Sequence, residues 1–193
     1  MNLNTLSGLL LILGFVLIVT ASIIGPPRLY QESDGQIRLE IIEKHSGRWS
    51  ASNVLFILSP LITAVGLLLL SYYVRDDVSP LLNWLAFLTY VLGAAAWIFF
   101  VYQRQVVPTQ LFEDYTFSPQ TVAMISLTLL GLLLYGIVFI QAGFPGWLGY
   151  GTVGLTLLIG ILAIIFPGQL FANIPPQVFY LITLAAGIVM LRQ

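Results

Sequence analysis

Six long apolar stretches punctuate this sequence, at about residues 6–24, 53–73, 81–103, 121–142, 147–166 and 177–191. None holds an Asp, Glu, Lys or His between its ends. A bilayer core of about 30 Å is crossed by roughly 20 apolar residues in a helix. Lipid offers the backbone no hydrogen bonds, so each stretch must satisfy its own amides and is expected to be helical. The expectation is an all-α, polytopic transmembrane bundle of about six helices, forming a single domain over residues 1–193. The sixth stretch is short and spans only with tilt or local thinning of the bilayer.

Composition supports this solvent assignment. The chain is 59% hydrophobic and 8% charged, where soluble domains carry about 25% charged residues. A net charge of −1 gives no footing for nucleic acid, which needs clustered Lys and Arg to displace counterions. The absence of cysteine removes disulfides, thiolate nucleophiles and Cys-ligated metals together. "MNLNTLSG" at the start lacks the positive region of a secretory signal, so the first stretch reads as a permanent helix.

The breaks between stretches carry helix-boundary chemistry. Ser79-Pro80 and Ser118-Pro119 each place a capping hydroxyl before a proline suited to the first helical position. Pro175-Pro176 opens the sixth stretch, Pro167-Gly168 closes the fifth, and "AGFPGW" (142–147) reads as a tight turn between antiparallel neighbours. Basic residues set the expected orientation. Arg28, Arg38, Lys44, Arg48 and Arg104 fall on one side and Arg75 and Arg192 on the other. This places the loop 25–52 in the cytoplasm and both termini outside.

What the stretches lack is informative. A retinal protein needs a Lys within a helix for its Schiff base, and the only Lys lies in a loop. No stretch offers the His or Cys that usually ligates haem, or the Asp, Glu or His of proton-coupled transporters. A metal-dependent intramembrane protease and a wide aqueous pore are disfavoured on the same grounds. No cofactor and no metal site are implied, and the reading leans against an enzyme.

Hydroxyls and aromatics nevertheless recur at intervals of seven. Asn83, Tyr90, Trp97 and Arg104 share one face of the third stretch, with Ala86, Gly93 and Ala94 beside them. Ser52, Ser59 and Gly66 share a face in the second, next to Thr63, and Thr121, Thr128 and Tyr135 do so in the fourth. Pro60 removes the backbone bond to the Phe56 carbonyl and is expected to kink its helix. A small half-polar pocket beside that kink would be lined by Ser59, Thr63, Tyr90, Trp97 and Tyr135, the candidate ligand-binding residues. The competing reading is that the same residues hold helices together, which is the commoner use of polar and small residues in membranes.

Most of the charge sits in residues 25–51, including the only histidine, His45. Residues 36–46 read as a short interfacial amphipathic helix, with Glu40 and Lys44 four apart in the favourable order and Gly47 as its end. Glu40, Glu43, His45 and Arg48 could supply an acid or base, yet sign-balanced charge between two spans is more simply the solvated part of the chain.

"SGRWSASNVLFILSPLITAVGLLLL" (46–70), "WLAFLTYVLGAAAW" (84–97), "FPGWLGYGTVGL" (144–155) and "IPPQVFYLITLAAGIVML" (174–191) resemble a family of small, uncharacterised bacterial membrane proteins grouped under a domain of unknown function. The resemblance implies six helices in a bacterial inner membrane and carries over no catalytic residue. The functional expectation is a non-enzymatic multi-pass protein that packs with partners or binds a lipid-like molecule. Alternatives are an accessory subunit of a larger bioenergetic or transport complex, and an enzyme or carrier for an apolar substrate. Expected partners are membrane lipids and other membrane subunits, not nucleic acid.

Overall fold

A computed structural model describes residues 2–29, 32, 34–108, 119–165 and 177–193. Seven helices and no strands are present among them: α1 (Leu3–Ile24), α2 (Gly35–Lys44), α3 (Ser46–Tyr73), α4 (Pro80–Val106), α5 (Pro119–Gln141), α6 (Gly146–Ile165) and α7 (Gln177–Met190). Five of these, α1, α3, α4, α5 and α6, are long and apolar enough to cross a bilayer. The chain is thus a polytopic helical membrane protein. α7 has 14 residues, about 21 Å at the usual helical rise. It runs antiparallel to α1, with Gln177 bonded to Ser22 at one end and Gly187 against Gly8 at the other.

Helices pack in the order α7, α1, α3, α4, α5, α6, with a lighter contact between α6 and α7. A shared core gathers Leu11, Leu67, Leu70, Tyr90, Leu132, Val138, Leu148 and Ile182 from all six. Where helices cross, a glycine removes the side chain that would hold them apart. A Cβ on Gly8 would lie 2.8 Å from the Gly187 carbonyl oxygen, and one on Gly131 would lie 2.8 Å from the Tyr90 amide nitrogen.

Local chemistry sets the helix ends. The Asp34 carboxylate accepts from the Gln36 and Ile37 amides and starts α2. α2 is the interfacial helix expected of this loop, but Gly47 does not end it. His45 alone separates α2 from α3, at φ −121° and ψ 35°, so residues 46–52 form the first turns of α3 rather than loop. Trp49 explains this extension: it is buried with Leu29 and Ile42, tying the start of α3 to α2. α4 begins at Pro80 as expected, although the Ser79 hydroxyl makes no capping bond. Between α5 and α6, Gly143 adopts φ +70°. The Phe144 amide reaches the Phe139 carbonyl at 3.0 Å and the Gly143 amide reaches Ile140 at 3.3 Å. This is a Schellman ending, closed by the Phe139 and Phe144 rings at 5.4 Å. Ser118, Pro167-Gly168 and Pro175-Pro176 lie outside the described residues.

Candidate functional site

The stripe on α3 and most of that on α4 take part in two ladders of interhelix hydrogen bonds, both built on α3. Toward α1, Ser7 Oγ donates to the Gly66 carbonyl at 2.9 Å, Ser59 Oγ to Gly14 at 2.9 Å, and Ser52 Oγ to Ala21 at 2.7 Å. Each step moves seven residues along both antiparallel helices, so the same faces stay in register. Toward α4, Asn83 Nδ2 donates to the Ser71 carbonyl at 2.7 Å, and Trp97 Nε1 to the Phe56 carbonyl at 2.9 Å. Arg104 closes this second ladder.

Phe56 is the residue whose carbonyl loses its helical partner to Pro60. α3 continues as helix through Pro60, and the indole of Trp97 supplies the missing donor. The two rings also meet edge to face at 5.9 Å.

Arg104 is buried, at 2% exposure. Its Nε donates to Asn53 Oδ1 at 2.8 Å and its Nη2 to the same oxygen. The guanidinium lies 4.7 Å from the centre of the Phe56 ring and 5.0 Å from that of Trp49. The last member of the third stretch's stripe, also counted toward the basic side, is thus a buried part of the bundle.

Of the five candidate residues, Ser59, Thr63 and Tyr90 come together at the middle of the bundle. The Tyr90 phenol faces Thr63 and Tyr180 of α7, and Tyr180 in turn faces Ser59. Thr63 Oγ1 is buried without a well-formed hydrogen bond of its own. Trp97 lies toward the α2 end, on the Phe56 carbonyl. Tyr135 lies toward the opposite end, where its hydroxyl meets Ser71 Oγ at 3.1 Å and the Leu67 carbonyl at 3.4 Å. Tyr180, Asn53 and Ser71 were not singled out by spacing. The partners on α1 did leave a trace, since Ser7, Gly14 and Ala21 are small residues seven apart. Among the described residues, no three His, Asp or Glu side chains gather closely enough to hold a metal ion.

A cleft of about 320 Å³ opens at the turn between α3 and α4. Ser71, Tyr72, Arg75, Asp76, Asn83 and Trp84 line it, together with Pro80. Asn83 is buried and its Oδ1 has no hydrogen-bond partner. Tyr72 and Trp84 stand perpendicular, with ring centres 5.9 Å apart, and both are partly exposed. Comparison of the chain with family models, curated proteins and solved structures finds no match.

Proposed function

We propose that the protein is a non-enzymatic, multi-pass membrane protein that holds a lipid-like molecule in the cleft between α3 and α4. The observation that carries this reading is the cleft's make-up: an aromatic wall of Tyr72 and Trp84, charged groups at Arg75 and Asp76, and Asn83 with an unanswered acceptor. Such a site lies at the ends of two spans, where an amphiphile places its polar part. A polar end in the cleft and an apolar body along the outside of α4 suit that chemistry. The deep hydroxyls of Ser59, Tyr90 and Tyr180 serve the helix contacts in this reading. By the family it resembles, the setting is a bacterial inner membrane.

Native mass spectrometry from mild detergent tests the proposal. The wild-type chain is expected to retain one amphiphile, and the variant Tyr72→Ala/Trp84→Ala to lose it while staying folded. A wild-type chain that carries no amphiphile overturns the reading. A second reading, an accessory subunit of a larger membrane complex, is favoured by the outer face of α6. Gly151 and Gly154 there meet nothing within 4 Å, leaving room for another helix to approach. Purification only as part of a complex supports that reading; a stable lone particle opposes an obligate subunit.

A further inference from the structure

We propose that the α3–α4 cleft selects a phospholipid whose headgroup carries a primary ammonium, with phosphoethanolamine as the recognised unit. This rests on the reading that the cleft holds an amphiphile and specifies which one. The argument begins at Asn83. Its Nδ2 donates to the Ser71 carbonyl at 2.7 Å, which fixes the amide's orientation, because a flipped amide would set two acceptors against each other. The atom left over is therefore Oδ1, an acceptor, and it is buried with no partner. Such an atom is costly until a donor reaches it. An occupant that enters far enough to reach it must bring an N–H or O–H.

The mouth adds charge of both signs. Arg75 Nε lies 3.5 Å from Asp76 Oδ1, with the two side chains 67% and 85% exposed. An ion pair this open contributes little to stability, so exchanging it for ligand contacts costs little. Arg75 can take a phosphate and Asp76 an ammonium. The turn holds one base against two acids, since Asp77 follows, and a purely anionic headgroup is disfavoured there. A choline headgroup could lie on the Tyr72 and Trp84 rings, but it has no N–H to give Asn83. Beyond Trp84, Leu88 and Leu92 continue down the exposed side of α4, where the acyl chains would run.

The test offers the full-length chain an equimolar mixture of phosphatidylethanolamine, phosphatidylglycerol and phosphatidylcholine in mild detergent. Retained lipid is then read by native mass spectrometry. Wild type is expected to keep phosphatidylethanolamine at least several-fold over the other two. Asp76→Asn, at an exposed position that the fold does not use, is expected to abolish the preference over phosphatidylglycerol. Equal retention of all three lipids by wild type overturns the headgroup assignment while leaving an amphiphile site in place. Preferred retention of phosphatidylcholine overturns it in favour of ring contacts. Unaltered preference in Asp76→Asn also overturns it. Soluble glycerophosphoethanolamine is expected not to displace the lipid at equal concentration; displacement would mean a soluble ligand and would overturn the lipid assignment. Retention of no lipid at all defeats the underlying amphiphile reading instead.

Discussion

Pro60 and Trp97 show how one residue's defect becomes another's role. A proline inside a helix leaves the carbonyl four residues earlier without its donor, and in lipid no water answers it. Trp97 Nε1 answers it from α4 at 2.9 Å. Trp97→Phe keeps an aromatic ring but withdraws the donor, and is expected to cost about 1–3 kcal/mol if the carbonyl stays buried and unpaired. In a Pro60→Ala background the backbone N–H returns and can bond to Phe56 itself. Trp97→Phe should then cost much less. A double-mutant cycle on unfolding in detergent micelles measures the difference; equal costs in both backgrounds would show that the indole acts only by packing. Half of this arrangement could be read from the sequence, because Pro60 names the orphaned carbonyl. The donor could not, since a Trp inside an apolar helix looks the same whether it meets lipid, a ring or a carbonyl.

Helices in this protein are held together by small contacts repeated in register, and their legibility differs by partner type. Side-chain donors such as Ser52, Ser59 and Asn83 announce themselves by spacing, whereas their acceptors are backbone carbonyls that any residue carries. The interhelix face of α3 was therefore visible while its meaning was not: the same stripe fits a ligand pocket or a ladder. The break at His45 was also hidden, because residues 46–52 are polar enough to pass for loop and become helix only through the burial of Trp49 against Leu29 and Ile42. Glycines give the sharpest test at this scale. A Cβ on Gly187 would meet the Gly8 carbonyl and the Ile12 side chain, each at 2.8 Å, and the carbonyl cannot yield without moving α1. Gly187→Val is expected to destabilise the bundle by about 1–3 kcal/mol through overpacking. Gly154→Val adds its side chain to open space and should leave stability unchanged. Thermal unfolding of both variants in one detergent checks the contrast; equal losses would mean that α1 and α7 do not meet this closely.

The molecule as a whole has two distinct ends. One holds α2, the start of α3 and the end of α4, with Arg38, Lys44, Arg48 and the buried Arg104. The other holds the α3–α4 turn and both termini, since α7 returns antiparallel along α1 and brings Met190 to the level of its start. Basic residues near short loops are retained in the cytoplasm during insertion, and the five-to-two bias favours the α2 end. Acids count little in that rule, so the Glu and Asp residues interleaved in the loop do not cancel it. Burial of Arg104 in the finished bundle does not cancel it either, because the bias acts while the helices enter the membrane. A reporter fused after Gln193 is expected outside, and so is one placed before Leu3. A cytoplasmic C-terminus would reverse the orientation, and reporters on opposite sides would mean that α7 does not cross alongside α1. Replacing Asp76 and Asp77 with Lys raises the opposing side to four basic residues against five. The bias then nearly vanishes, and the C-terminal reporter should divide between both sides of the membrane.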